Sequence, residues 1–272
     1  MKKRLSTILL VLVFLTGVSL LLYPTVSDYW NSLHQSRAIT EYAEQVAGLN
    51  NDLYDQFWSE AESYNKVLLS KADRYELSDE EREEYERLLN VSGNGIIGYI
   101  EIPRIGCSLP IYHGTGESVL QIAVGHMEGT SLPVGGESTH CVLSGHRGLP
   151  SAKIFTELDK LSEGDTFMLR ILDETLTYEV DQILIVEPYE MAALEIEEGR
   201  DYCTLVTCTP YGINTHRLLV RGHRVENQEE ARTIRVTADA MQIEPESVAP
   251  LVAVPMLFIL LLVLLISTRK KK

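Results

Sequence analysis

Basic residues are scarce in the body of this 272-residue chain. Seven of its 24 lysines and arginines lie in short clusters at the two ends, and all 39 acidic residues lie between those clusters. The region between them therefore carries 17 basic against 39 acidic residues, a formal net charge of −22. This excess argues against nucleic acid and against an anionic membrane surface as partners. We interpret the acidic excess mainly as a feature that keeps a surface protein soluble. Attraction of lysine-bearing proteins is the less favoured interpretation.

Cysteine is also scarce, with four residues, and no acidic cluster has the spacing of a calcium-binding EF-hand loop. Cys203 and Cys208 lie five positions apart on one predicted strand, on opposite faces and about 16 Å apart if extended, so they cannot bridge each other. Cys107 and Cys141 can pair only if their strands are neighbours, which the sequence leaves open, and both are interpreted as small core or edge residues. We expect Cys208 to stay a free thiol and the protein to hold no metal ion.

Two apolar runs without a charged residue, 5–22 and 248–266, frame the chain. Each is long enough to cross a hydrocarbon core of about 30 Å as a helix. The basic clusters flank both runs at their outer ends, which predicts two transmembrane helices with both termini in the cytoplasm and the middle of the chain outside. A cleaved signal peptide is the alternative for the first run, but its length and the poor cleavage site at residues 22–24 favour an uncleaved anchor.

The region from about Ser27 to Asn90 is helical in pattern and rich in charge. Ser78 followed by Glu81 predicts a capping box that opens a short helix through Leu89. Before it, apolar residues recur every three or four positions along an amphipathic stripe: Ile39, Tyr42, Val46, Leu49, Leu53, Phe57, Ala61 and Tyr64. These helices are expected to dock on the following domain as a stalk or collar; a sharper interpretation is that part of the region covers the functional site.

From Ile96 the pattern changes to short apolar runs bounded by turn residues, which predicts a small all-β barrel or sandwich. Two helical insertions are expected within it, at Ala152–Leu161 and Pro188–Leu194, and residues 226–246 are predicted to be a polar linker. The predicted strands include 139–143, 166–172, 176–186, 202–207 and 217–220.

The most informative segment is a predicted strand ending near Cys208, followed nine residues later by Arg217 on the next predicted strand. A thiolate nucleophile needs a nearby cation to lower its pKa, and acyl chemistry needs positive charge where an oxyanion forms. His146 lies in a glycine-flanked turn after another apolar strand. These three residue types together predict acyl transfer through a thioester, although most free cysteines are only small core residues.

The choice of histidine stays open on spacing alone, because His126 and His146 both follow apolar strands beside glycine. His216 is adjacent to Arg217, so it points to the opposite strand face and is not expected to share the site. Arg221 is interpreted as the partner of an ordinary salt bridge.

Several ordered motifs between Ile96 and Val225 resemble the sortases, the cysteine transpeptidases of Gram-positive cell surfaces, and most closely their class C, pilin-polymerising members. The motifs are GYIEIP at 98–103, LPIYHG at 109–114, GHMEGTSLP at 125–133, SGHRG at 144–148 and TLVTCTPYG at 204–212. The resemblance implies an eight-stranded barrel with Cys208 ending one strand and Arg217 on the next. By the same resemblance, His146 is expected to be the catalytic histidine and His126 a structural residue near the groove. Thr207, Thr209 and His126 are the candidates for the substrate groove or oxyanion site.

The activity that this resemblance implies is cleavage of an LPxTG-like sorting signal between Thr and Gly. The acyl group then passes to a lysine amine of a pilin subunit, without metal or organic cofactor. The expected partners are pilins or other LPxTG-bearing surface proteins and the lipid bilayer of a Gram-positive cell, with the catalytic domain extracellular and no nucleic acid bound. The alternatives are an anchoring sortase that uses a cell-wall peptide amine, a non-catalytic pilin-binding scaffold, and a peptidase that only hydrolyses.

One departure from the class C pattern concerns the lid, which in that class carries an Asp-Pro-aromatic motif upstream of the barrel. The chain contains no Asp-Pro, and without proline the loop loses its preset φ and stiffness. The nearest lid candidates are Asp73, Tyr75 and Asp79, and a weak or absent lid is predicted. The organisation predicted for the whole chain is an N-terminal anchor at 1–24, a helical stalk or lid region at 25–95, the barrel at 96–225, a linker at 226–246, a transmembrane helix at 247–268 and a basic cytoplasmic tail at 269–272.

Overall fold

The computed structural model describes residues 2–149, 151–227, 255, 257–259 and 261. It divides into two compact units, Met1–Trp30 with Glu230–Lys272 and Asn31–Glu229, and each is described by itself. The predicted linker beyond residue 227 and nearly all of the predicted C-terminal span at 247–268 lie outside the described residues.

Four α-helices have the bounds Lys2–Ala47 (α1), Asn51–Leu69 (α2), Asp79–Arg87 (α3) and Glu117–Leu120 (α4). Helix α3 begins with the predicted capping box, because the Ser78 hydroxyl accepts from the Glu81 backbone and the Glu81 carboxylate accepts from the Ser78 backbone. Within the described part of the chain, one segment, Thr7–Ala47 of α1, is long and apolar enough to cross a membrane. One predicted span thus has a matching helix, by length and composition.

Eight strands close into a mixed barrel in the order β1-β2-β3-β4-β7-β8-β6-β5. Their bounds are Ile96–Ile102 (β1), Cys107–His113 (β2), Val124–His126 (β3), Thr139–Ser144 (β4), Thr166–Ile171 (β5), Glu174–Val186 (β6), Asp201–Thr209 (β7) and His216–Val225 (β8). Two neighbouring pairs, β2 with β3 and β4 with β7, are parallel, and the others are antiparallel. The prediction of an eight-stranded barrel is confirmed.

The two predicted helical insertions are wrong: each segment contains only a 3₁₀ turn, at Leu158–Lys160 and Ala192–Leu194. In the first segment Ile154 and Phe155 are both buried, and the Phe155 amide donates to the carbonyl of His146 at 3.0 Å. The partner of this amide lies nine residues back in the chain instead of the four of an α-helix, so contacts with distant parts of the chain replace the helical hydrogen bond here.

The N-terminal helices of the second unit dock on the barrel through buried tyrosines. The Tyr42 hydroxyl donates to the carbonyl of Ile97 at 3.1 Å and accepts from the amide of Leu172 at 2.8 Å. Tyr85 of α3 is fully buried. Burial of one such side chain contributes about 1.5–3 kcal/mol, so these contacts anchor the helices firmly. The buried barrel core includes Ile100, Ile102, Ile111, Leu143, Phe167, Leu169, Tyr178, Leu205 and Val220.

Candidate active site

The β7–β8 hairpin places Cys208 directly opposite Arg217, because these residues are register partners on adjacent antiparallel strands. Residues 203, 205 and 207 are buried, whereas Val206 and Cys208 are half-buried on the other face. Cys208 therefore projects outward from the barrel near the end of β7, which continues for one more residue to Thr209. The pairing brings a thiol and a guanidinium to the same place on the rim.

Backbone contacts hold the Arg217 guanidinium in place. Its Nη1 donates to the carbonyls of Asn214 at 3.3 Å and His216 at 3.1 Å. Among the described residues no partner is found for its Nε and Nη2. These two nitrogens are the donors that can meet a bound carbonyl or oxyanion.

His146 reaches the same rim from the parallel neighbour of β7. Ser144 pairs with Val206, and the next contact continues the ladder, because the Gly145 amide donates to the Val206 carbonyl at 3.0 Å. Continued for two residues beyond Ser144 and Val206, this parallel register places His146 beside Cys208. A Cβ on Gly145 would lie 2.6 Å from the Phe155 ring, so the turn needs glycine there.

Glu117, which the sequence analysis does not assign, contacts the histidine. Its carboxylate Oε2 lies 3.5 Å from His146 Nε2. The Gln121 side chain also donates to Glu117, and this hydrogen bond, followed by the one from His146, lowers the pKa of the carboxyl group. Glu117 therefore faces the imidazole as an anion. No sequence signal marks it, because it opens a helix of four residues on a different part of the chain.

Arg147 ties the histidine turn to the cysteine strand. It forms an ion pair with Asp159, and its Nη1 donates to the Thr209 hydroxyl at 3.4 Å. Its guanidinium also lies 5.8 Å from the ring centroid of Tyr211, in the β7–β8 turn. This buried arginine fixes the distance between the turn that carries His146 and the end of β7; the SGHRG motif contains it but does not by itself reveal that role.

An apolar groove of about 140 Å³ lies on the outer barrel face beside Arg217. Its floor is a separate apolar cluster built on Val142, Leu194 and Leu219. Two carboxylates, Glu187 and Glu190, lie on its rim. The groove can hold an extended peptide with apolar side chains, with its reacting carbonyl at the Arg217 end.

The three residues proposed from sequence for the groove or oxyanion site are buried instead of lining it. The Thr207 hydroxyl donates to the carbonyl of Gly145 at 2.7 Å, and Thr209 accepts from Arg147. His126 is fully buried, with Nδ1 2.8 Å from the Tyr85 hydroxyl and Nε2 2.8 Å from the Ser131 carbonyl. Their hydrogen bonds hold strands and loops behind the site.

The segment between α2 and α3, which carries the lid candidates, docks beside the groove through Arg74. This side chain is buried, donates to the Glu195 carboxylate at 2.7 Å and lies 4.9 Å from the Tyr75 ring centroid. Gly129 lets the segment approach: its φ is +78°, and a Cβ there would lie 2.3 Å from the Arg74 carbonyl oxygen. Asp79 is the first residue of α3. The Tyr75 hydroxyl accepts from Arg74 at 2.9 Å. Among the described residues, no contact of Asp73, Tyr75 or Asp79 with Cys208 or Arg217 is found.

Other polar residues have structural partners. Arg221 donates to both carboxylate oxygens of Asp181, at 3.0 and 3.1 Å, as expected for a salt bridge. Cys107 and Cys141 cannot pair, because β3 lies between their strands. Within the described ranges no group of three or more His, Cys, Asp or Glu side chains is arranged to hold a metal ion.

Comparison with known proteins places the chain in a family. Residues 100–225 match the sortase domain. The crystal structure of sortase C1 from Streptococcus agalactiae is 51% identical, with a TM-score of 0.69 over 71% of this chain and 100% of that one. Sortase C from Streptococcus pneumoniae, whose structure addresses catalysis and pilin substrate specificity, is 46% identical, with a TM-score of 0.64 over 70% and 97%.

A third structure, sortase C from Clostridium perfringens with its C-terminal cell wall sorting motif, is 45% identical, with a TM-score of 0.63 over 71% of this chain and all of that one. Among curated relatives, Sortase D of Bacillus subtilis is 31% identical over 47% of this chain, which spans 63% of that protein's length. The chain belongs to the sortase family of cysteine transpeptidases, and the solved structures it resembles are sortases of class C.

Proposed function

We propose that this sortase cleaves an LPxTG-like sorting signal between Thr and Gly and joins the new acyl group to a lysine amine of a pilin subunit. The observation that carries the proposal is the pairing of Cys208 with Arg217, which lines an apolar groove, together with the contact of Arg147, the neighbour of His146, with Thr209, the neighbour of Cys208. The class C relatives support pilin as the substrate, because one of them is described by its pilin substrate specificity. The apolar floor of the groove suits the Leu and Pro side chains of such a signal.

In the first half-reaction the Cys208 thiolate attacks the Thr carbonyl carbon, and the carbonyl oxygen becomes an oxyanion. Arg217 stabilises that oxyanion with Nε and Nη2, the donors that its backbone contacts leave available. The tetrahedral intermediate collapses as the C–N bond breaks, and imidazolium His146 gives its proton to the departing glycine amine. The products are a thioester on Cys208 and neutral His146.

In the second half-reaction the lysine side chain reacts as the neutral amine, having lost one proton to solvent. Its nitrogen attacks the thioester carbonyl carbon, and neutral His146 accepts the proton that this nitrogen gives up as the new C–N bond forms. The Cys208 thiolate leaves as the isopeptide bond forms, so thiolate and imidazolium are both regenerated. Glu117 faces His146 and stabilises the imidazolium form in both half-reactions. The rim carboxylates Glu187 and Glu190 suit the approach of a lysine ammonium to this end of the groove.

We also propose that the N-terminal part of α1 anchors the enzyme in the membrane of a Gram-positive cell, with the barrel outside. The apolar segment within Thr7–Ala47 supports the anchor, and the basic residues before it support a cytoplasmic N-terminus. The second anchor predicted at residues 247–268 remains part of the proposal. Protease added to intact cells should cleave the barrel region and spare both basic ends.

The test of the reaction uses the full chain, purified in detergent, mixed with an LPxTG-bearing pilin subunit. We expect a ladder of pilin multimers that survives denaturing electrophoresis. The ladder should vanish with the Cys208→Ala enzyme and with a pilin that lacks its acceptor lysine. Cleaved pilin without a ladder would indicate that the acyl group passes to a cell-wall amine or to water. The absence of any acyl-enzyme would overturn the site assignment.

A further inference from the structure

Two of the four cysteines, Cys141 on β4 and Cys203 on β7, lie directly opposite each other on neighbouring parallel strands. Both are buried, and each lies two residues from a core residue of its own strand, Leu143 for Cys141 and Leu205 for Cys203. Residues two apart on a strand point to the same face. Both side chains therefore point into the barrel interior, toward one another. The proposed chemistry uses neither thiol.

The spacing of paired strands brings these residues within reach of a covalent link. Adjacent strands lie about 4.8 Å apart, and disulfides join residues whose Cα atoms are about 4.4–6.8 Å apart. The side chains of Cys141 and Cys203 lie on the same face of the sheet, because the two residues are register partners.

The remaining cysteines have no comparable partner. Cys107 lies on β2, separated from β4 by β3, and its thiol contacts the Ile154 carbonyl at 3.9 Å. Cys208 projects from the outer barrel face, away from Cys203. Of the pairings that four cysteines allow, the fold brings together Cys141 with Cys203.

We propose that Cys141 and Cys203 form a disulfide that links β4 to β7 when the barrel folds outside the cytoplasm. The inference rests on the external location of the barrel, where oxidising conditions allow disulfides. It does not rest on the transpeptidase reaction.

The oxidant is a second disulfide, either a small-molecule disulfide or a thiol–disulfide oxidoreductase. One cysteine thiolate attacks a sulfur of that disulfide and releases its first thiol, which leaves a mixed disulfide. The second cysteine thiolate then attacks the mixed disulfide and releases the second thiol. Two protein thiols lose two electrons and two protons in total, and the oxidant is reduced to two thiols.

The hydrogen bonding of the pair favours the thiolate that this exchange needs. Burial raises the pKa of both thiols, but hydrogen bonds from Cys203 and His126 reverse the shift at Cys141, whose pKa is lowered. The pKa of Cys203 is raised by burial and by its neighbour. Of the two thiols, Cys141 is the one whose neighbours favour the thiolate form.

The link has a consequence for the site, because β4 and β7 carry its two main groups. His146 follows the end of β4, and Cys208 lies five residues beyond Cys203. A disulfide between these strands fixes their register. It closes a loop of roughly 60 residues, for which chain-entropy arguments predict a melting temperature higher by about 9–17 °C.

Peptide mapping of the full chain in detergent tests the proposal directly. A Glu-specific protease separates Cys107, in residues 102–117, from Cys141, in residues 138–157. A Cys208→Ala background leaves Cys203 as the only thiol in residues 199–226. The protein is alkylated without reductant, both as isolated and after exposure to oxidised glutathione in sub-denaturing urea.

We expect a cross-linked pair of the peptides that contain Cys141 and Cys203, with Cys107 alkylated. In the same background, reductant should lower the melting temperature of the oxidised protein. A further Cys203→Ala change should abolish that response, and the matched Cys107→Ala change should preserve it. Full alkylation of Cys141 and Cys203 after both treatments, or a cross-link that involves Cys107, would overturn the proposal. The mapping decides the question even if a variant fails to fold.

Discussion

Replacement of Arg217 by alanine removes the donors that the proposed mechanism assigns to the oxyanion. The residue lies opposite Cys208 in the β7–β8 register, and backbone carbonyls hold its Nη1. Loss of one oxyanion donor costs enzymes about 10²–10³ in kcat, and a hydrogen bond to a charged group contributes about 1.5–3 kcal/mol. With two donors lost, we expect Arg217→Ala to lower kcat by about 10²–10⁴, with a smaller change in KM.

Arg217→Lys separates charge from geometry. The lysine keeps the positive charge but has no planar fork, and it cannot reproduce the two backbone contacts while offering two further donors. We therefore expect a kcat between those of the wild type and the alanine variant, about 10–100-fold below the wild type.

Arg221→Ala is the matched control, because Arg221 lies on the same strand but pairs with Asp181 and lies 4.1 Å from the Tyr202 ring centroid. We expect it to lower the free energy of unfolding by about 1–3 kcal/mol and to leave kcat within threefold. The assay is the initial rate of cleavage of a quenched fluorescent LPxTG peptide by the full chain, with the acyl-enzyme followed by mass spectrometry. An Arg217→Ala enzyme with an unchanged kcat, whether or not its KM rises, would refute the oxyanion role.

Four further outcomes are expected. Glu117→Gln should lower the kcat of peptide cleavage by about threefold to tenfold at constant KM, since the imidazolium loses its anionic neighbour. The exposed control Glu163→Gln should retain kcat, and equal losses in the two variants would contradict the contact. Tyr85→Phe should lower the free energy of unfolding by about 1–3 kcal/mol in urea titrations, because His126 Nδ1 and the Gly114 amide lose their buried partner; the exposed control Tyr189→Phe should have no effect. Burial, and then the nearby His126, lower the pKa of His113 to about 4. The unfolded chain therefore binds a proton at His113 more readily than the folded protein does. The free energy of unfolding should be highest above pH 6.5 and should fall by at most about 3 kcal/mol as the pH drops toward 4. A His113→Gln variant with the same dependence of this free energy on pH would contradict the assignment. Arg74→Ala should lower the free energy of unfolding by about 1–2 kcal/mol and leave peptide cleavage within twofold, whereas a tenfold faster cleavage would show that the segment is a lid.

The sequence predicts the strands well because their signals are local. Alternation and turn residues mark β5 to β8, and the hairpin that joins β7 to β8 spans few residues, so the proximity of Cys208 and Arg217 follows from spacing alone. The capping box of α3 is local in the same sense. The predicted helices at 152–161 and 188–194 fail for the opposite reason: distant core contacts decide the conformation of those segments.

The parallel pairing of β4 with β7 is the step that no local pattern reveals. About 60 residues separate the two strands, and β5 and β6 lie between them in the chain but on the far side of β8 in the barrel. Spacing therefore cannot distinguish His146 from His126, whereas the register does: it brings His146 level with Cys208 and leaves His126 buried.

The same pairing explains three findings that the sequence separates. It brings His146 to the cysteine, it places Cys141 against Cys203, and it lets Arg147 reach Thr209. A perturbation that shifts β4 on β7 by one residue would turn every side chain of the strand to the other face, so it would remove the histidine and break the cysteine contact together. The activity of this sortase and the redox state of its buried cysteine pair are therefore expected to respond jointly to changes in this pairing, and independently to changes in the β7–β8 turn.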